Sequence, residues 1–266
     1  MRRFAVLLAV ASVVGAVGFV AANAALRAPT KVFRVTLVGE TETPTGDPVA
    51  TGTATIRVTR GQARVCYSLA ARDLSGRAAA AHIHRGAAGT AGPVLIALRT
   101  PNAAGTSSGC AKAKKALVKA IFARPGRYYV NVHTAEFPAG AIRAQLAGTR
   151  PVLGTILRLQ LKGTTEPNAS GTAVLRIRKD AGVVCFRLHA ENVTLPTTAA
   201  HIHRGAAGVS GPVVVPLTAP GADGTSSGCA TASPSIIDDI LANRAGFYVN
   251  VHTKEHPAGA IRAQLG

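Results

Sequence analysis

The sequence predicts an all-β protein: two tandem antiparallel β-sandwich domains with Greek-key-like connections, each carrying one short helix. Three observations lead there. Several segments alternate apolar and polar residues with a period of two, the signature of a half-buried strand. Glycine and proline, 28 and 15 of the 266 residues, punctuate those segments. The whole pattern then occurs twice at a fixed spacing. No long helices alternate with the strands, which argues against a nucleotide-binding α/β fold. With no tryptophan and 4% aromatic residues, the core must be built of Val, Ile, Leu and Ala.

The first residues stand apart from this pattern. Met1-Arg2-Arg3 is a basic lead, and an uncharged apolar run extends from Phe4 to Val20. Ala22-Asn23-Ala24 then fits the small-x-small exit of a secretory signal, so residues 1–24 are expected to be a cleaved signal peptide. The competing reading is an uncleaved anchor, because the run approaches spanning length. Either way the remainder is expected outside the cytoplasm, with no other membrane span.

"HIHRGAAG" at 82–89 returns at 201–208, "GTSSGC" at 105–110 returns at 224–229, and "YVNVHT" at 129–134 returns at 248–253. "PAGAIRAQL" at 138–146 returns at 257–265. All four keep a spacing of 119 residues. Only the first loop breaks register, because "ETETPTGDPVAT" at 40–51 holds five extra residues in the first copy. Two domains follow, at about 31–148 and 152–266, joined around Thr149-Arg150-Pro151.

Within the first copy, "KVFRVTLVG" and "TATIRVTR" read as strands. Gly61-Gln62 turns the chain tightly into "ARVCYSLA". "AAAHIH", "PVLIAL", "RYYVNVH" and "GAIRAQL" complete seven strands, with "GTSSGC" read as a polar turn ending at a cysteine. "AKAKKALVKAIFARPGR" and its counterpart "ATASPSIIDDILANRAG" each read as one short helix. Ser233 is placed as N-cap and Pro234 as first helical residue, and Pro125 or Gly126 ends the first-copy helix.

Each copy holds two cysteines. Four cysteines allow three pairings. The repeat favours Cys66 with Cys110 and Cys185 with Cys229, one bridge per domain. A loop of that length stabilises the folded state by about 4 kcal/mol in the chain-entropy model.

The histidines raise the question of chemistry. A strand puts His82 and His84 on one face and Ile83 on the other, with Cα atoms roughly 6.5–7 Å apart at a rise of about 3.3 Å per residue. Asn131 and His133 likewise share a face opposite Val130 and Val132. If the two strands are neighbours, three imidazoles meet. His201, His203 and His252 repeat the set. Nitrogen-rich sites suit Zn or Cu. The alternative is a structural cluster bonded to backbone. Glu136 and Glu255 are the nearest carboxylates but fall in turns, while His189 and His256 have no counterparts. No G-x-S-x-G and no nucleophile beside a base is present, so no catalytic residue is assigned. "GAAGTAGPV" lacks the lysine and the following helix of a phosphate loop.

Formal net charge is +18, and residues 31–149 carry +11 against +4 for 150–266. The basic first-copy helix would attract acidic polymers, an anionic surface or an extracellular protein partner. No aromatic residues interleave with its charges for base stacking, which argues against nucleic acid.

Together, "AAHIHRGAAGTAGPVLIAL" and "YYVNVHTAEFPAGAIRAQL" resemble the CHRD domain, first defined in chordin. Both copies carry both blocks. Ala144 and Ala263 stand where the family usually has glycine. The resemblance implies an extracellular, antiparallel β protein, a non-enzymatic binding or matrix module. A fainter likeness, to Cu,Zn superoxide dismutase, rests on the H-x-H strand, a later histidine and an internal disulfide. It lacks a bridging histidine and a zinc-ligand aspartate after the H-x-H strand. Metal binding, with or without redox activity, is therefore the alternative expectation.

Overall fold

The computed structural model describes residues 28–165 and 167–266, so the expected signal segment lies outside the described residues. Each domain is all-β, with one helix. In the first domain the strands are β1 (Thr30–Val38), β2 (Thr51–Thr59), β3 (Arg64–Arg72), β4 (Ala78–Arg85), β5 (Val94–Leu98), β6 (Thr106–Lys112), β7 (Tyr128–Thr134) and β8 (Ile142–Gln145). Helix α1 spans Lys115–Ala123. The second domain repeats this with β9 (Thr155–Gly163), β10 (Ser170–Arg178), β11 (Val183–Glu191), β12 (Ala199–Arg204), β13 (Val213–Leu217), β14 (Thr225–Thr231), α2 (Pro234–Ala242), β15 (Phe247–His252) and β16 (Ile261–Gln264).

The eight strands of a domain form one antiparallel sheet, ordered β5-β4-β7-β8-β1-β2-β3-β6. It rolls up until its edge strands β5 and β6 approach each other. The halves β5-β4-β7-β8 and β1-β2-β3-β6 thus face each other as a sandwich joined along one seam. Period-two alternation turns Ala54, Ile56 and Val58 of β2, Ile83 of β4, and Val130 and Val132 of β7 into the shared core, all 0–3% exposed. Val118 and Ile121 of α1 plug the core, with Leu117, Ala120 and Phe122 packed partly buried against it. In the second domain Ser233 Oγ accepts from Ile236 N–H, so the N-cap and Pro234 stand as the sequence placed them.

One reading is corrected. "GTSSGC" is no turn but most of strand β6, and "TSSGCAT" of the second copy is β14. Each is an edge strand built of small polar residues, so it carries no apolar period to read. The pairing aligns Cys66 with Cys110 and Cys185 with Cys229 directly across β3–β6 and β11–β14. Both disulfides form there, within domains, and no cysteine is free.

The register-breaking loop of the first copy has a structural purpose. Its Asp47 is fully buried and caps its own turn, accepting from the N–H groups of Val49, Ala50 and Ser75 at 3.1, 3.1 and 2.8 Å. The same carboxylate accepts from Arg187 of the second domain at 2.7 Å. Glu40 receives Arg176 and Arg178, and Arg176 Nε also donates to the Pro48 carbonyl at 3.0 Å. Arg158 grips Asp73 through two bonds of 2.6 and 2.7 Å. The acidic loop of one domain thus docks on the basic outer face of β9-β10-β11 in the other.

These pairs differ in environment, and so in worth. Removing one partner of a buried pair leaves an uncompensated charge and costs about 3–5 kcal/mol, whereas an exposed pair contributes about 0–1 kcal/mol. Asp47→Ala is therefore expected to lower unfolding stability by about 3–5 kcal/mol in denaturant titration. Arg158→Ala, which removes a 57% exposed side chain from an Asp73 that is 8% exposed, is expected to cost less than Asp47→Ala. Equal effects of the two would contradict this account of the interface.

Candidate functional site

Strands β4 and β7 are neighbours, with His82 opposite Asn131 and Ala80 opposite His133. His82, His84, Tyr129, Asn131 and His133 therefore share the outer face of the sheet, away from Ile83, Val130 and Val132. Strand β8 adds Arg143 opposite Asn131 and Gln145 opposite Tyr129. The second domain aligns His201 with Asn250 and His203 with Tyr248 in the same way.

The three expected histidines come together in each domain. The possible ligand nitrogens of His82, His84 and His133 lie within 4.8 Å of one another, as do those of His201, His203 and His252. The closest pair, His82 Nδ1 and His133 Nε2, is 3.1 Å apart, and its counterpart, His201 Nδ1 and His252 Nε2, 3.3 Å. Two nitrogens each about 2.0–2.1 Å from a tetrahedral ion would stand roughly 3.3 Å apart. Glu136 and Glu255 join neither group. His189 instead lies 3.4 Å from Glu191, and His256 bonds Thr165 Oγ1 at 2.8 Å.

Hydrogen bonds fix the tautomers. His84 Nδ1 donates to the Gly92 carbonyl at 2.8 Å, and His133 Nδ1 to the Pro138 carbonyl at 3.0 Å. His203 and His252 donate likewise to Gly211 at 2.9 Å and Pro257 at 3.0 Å. A carbonyl only accepts, so each of these Nδ1 atoms carries a proton; the Nε2 lone pairs of His84 and His203 turn inward, while His133 Nε2 also faces Asn131 Oδ1 at 3.1 Å. This is how a second shell orients a ligating imidazole. The Nε2 atoms of His84 and His203 are buried with no partner. A buried acceptor left unpaired costs about 1–3 kcal/mol. Burial, reinforced by the neighbouring imidazoles, lowers the pKa of His82 and His201 below the ordinary histidine value. Burial also lowers His133 and His252 against the opposing pull of their carbonyl bonds. Their neutral, lone-pair-bearing forms are thereby favoured.

The glycine turn after β4 has a definite job. It covers His84 and Tyr129, whose rings stack at 4.8 Å and 9°. The Arg143 guanidinium lies 3.4 Å from the centre of the Tyr129 ring and donates to the turn carbonyls of Ala87 and Thr90 at 2.7 and 3.0 Å. Gln145 Nε2 holds the Gly86 carbonyl at 3.0 Å. A Cβ on Gly92 would sit 1.7 Å from the Arg85 carbonyl oxygen, so only glycine permits this approach. Sequence reasoning had singled out none of Tyr129, Tyr248, Arg143, Arg262, Gln145 and Gln264. Alternation in "YYVNVH" and "IRAQL" was the available signal.

Glu42 was also missed. It comes from the inserted loop and lies buried against Gly140, where a Cβ would meet its Oε1 at 2.2 Å. Burial raises its pKa to about 7, against the opposing charge of Arg143. The folded state therefore binds this proton more tightly than the unfolded chain, whose value is 4.5. The contribution is full below pH 4.5 and is lost as pH rises through about 7. Thermal melts should show the wild type losing up to about 3 kcal/mol relative to Glu42→Gln across that window. Parallel pH profiles for the two proteins would exclude this role.

Among the described residues no helix is long and apolar enough to cross a membrane. Comparison with curated proteins and with solved structures gave no match. The CHRD domain profile, in contrast, matches residues 33–146 and again 158–265, each stretch enclosing one histidine triad. With most of its length matched in two tandem copies, the chain belongs to the CHRD domain family.

Proposed function

We propose that this protein is a secreted, non-enzymatic binding module whose two domains each hold one transition-metal ion, Zn or Cu, on a three-histidine site. One observation carries the reading. In both domains the inward Nε2 lone pair of a buried histidine has no partner, although its Nδ1 is fully committed to a backbone carbonyl. An ion among the three imidazoles would satisfy it. Half-buried His82 and His201 leave the outward side open to a further ligand, water or a donor from a partner. The family and the intradomain disulfides support an extracellular setting.

A purely structural cluster is the second reading. The 3.1 Å contact between His82 Nδ1 and His133 Nε2 favours it, since it can be an ordinary hydrogen bond. The mature chain, purified without a histidine tag and beginning at residue 25 by N-terminal sequencing, decides between them. Elemental analysis should find about two equivalents of Zn or Cu per chain, one per three-nitrogen site. His82→Ala with His201→Ala should remove both. A chain that takes up neither metal on dialysis, or a double variant that keeps the full amount, would leave only the structural cluster.

A further inference from the structure

The two domains differ at a second site, on the opposite side of the glycine turn from the histidines. In the second domain, Arg204, Gly205, Ala206, Asp239, Ala242 and Phe247 line a cleft between α2 and the turn. Inside it the Arg204 guanidinium lies 4.8 Å from the Phe247 ring centre and is paired with the Asp239 carboxylate. The cleft carries its own anion.

The first domain has the same cleft with the anion removed. At the spacing of 119, Arg85 replaces Arg204, Tyr128 replaces Phe247, and Ala120 stands where Asp239 would be. The cleft opens to about 750 Å³ between α1 and the turn. Arg85, Lys119, Arg124 and Arg127 line it, over Ala116, Ala120, Ala123 and Tyr128. All four cations are exposed, and no carboxylate lines the cleft. Among the described residues none of the four side chains has a hydrogen-bond or ion-pair partner. Four like charges around one concavity repel one another and focus a positive field into it.

We propose that this cleft binds the carboxylates of a polyanionic ligand, seated where Asp239 sits in the second domain. The second domain shows which group fits: a carboxylate against the arginine that follows the H-x-H strand. The volume lies within the ordinary range of small-ligand sites, about 300–1,000 Å³, and exceeds a single carboxylate several-fold. The ligand is therefore a molecule bearing several carboxylates, either a free polycarboxylic acid or a segment of an acidic sugar chain. The site stands independently of the metal reading.

The test uses the full mature chain at low salt, where exposed charges are least screened. Isothermal titration with citrate and, separately, with tri-galacturonate should show one saturable site per chain. Citrate alone binding identifies a free acid, and tighter binding of the trimer a sugar chain. Ala120→Asp supplies the missing carboxylate and should weaken binding by at least about tenfold, which is about 1.4 kcal/mol. Arg85→Ala should weaken it too, without adding an acid. Thr53→Asp adds the same charge on the exposed outer face of β2 and should leave the affinity within about twofold, since it lies outside the cleft. Melting curves confirm that each variant is folded. Equal losses in Ala120→Asp and Thr53→Asp would mean diffuse attraction and overturn the site. So would binding of neither probe, or capture only by phosphatidylglycerol vesicles with Ala120→Asp indifferent.

Discussion

The stack of Arg143 on Tyr129 on His84 is the interaction on which the outer face of the first domain depends. It joins three strands and one loop. Arg143 comes from β8, Tyr129 from β7, His84 from β4, and the guanidinium donates both to the glycine turn and to Gln145 Oε1. A guanidinium over an aromatic face contributes about 0.5–2 kcal/mol, more when desolvated, and Arg143 is 1% exposed. The turn it holds supplies the Gly92 carbonyl that sets the His84 tautomer. The inward lone pair therefore follows from a cation two strands away. The second domain repeats the stack, with Arg262 3.3 Å from the Tyr248 ring centre and Tyr248 against His203 at 4.9 Å. Different surroundings thus give the same geometry, so it is encoded within the repeated block.

That block makes the histidine face unusually demanding. An outer sheet face normally meets water, which satisfies any imidazole. Here the turn shields His84, and the loop after β7 brings the Pro138 carbonyl to His133. Both rings end below 10% exposure, while His82 remains half-buried. Water is excluded from the inner nitrogen of His84 without any protein group replacing it. Either an ion meets that nitrogen or the fold carries an unpaired acceptor twice. The two readings thus differ by a definite free energy, not only by a label.

Outside the shared block, the two copies have diverged toward complementary roles. The inserted loop gives the first domain Glu40 and Asp47, which neutralise arginines on the outer face of the second. Helix α2 carries Asp238 and Asp239, which pair with Lys179 and Arg204. Cations of the second domain are largely answered from within the chain. Those around α1 are not, and the charge asymmetry between the halves is concentrated where no internal partner exists.

What could be read in advance was whatever has a period. Alternation placed β1 to β4, β7 and the faces of all six histidines. The repeat placed both disulfides, since a pairing that serves one copy serves the other. Strand β6 was illegible because Thr, Ser and Gly present no apolar side to count, and its pairing with β3 is a long-range fact. Tyr129 and Arg143 sat at the right alternation, but their significance depends on which strands are adjacent, and β8 joins β7 and β1 only through the fold. Glu42 was hidden differently. The opening strands keep a spacing of 124, which sets Glu42 against Glu166, but nothing in that match shows burial, which depends on Gly140 leaving room for the Glu42 carboxylate. Repetition therefore reveals what the copies share, while the insertion and the helix charges, invisible to it, hold the features that make each domain different.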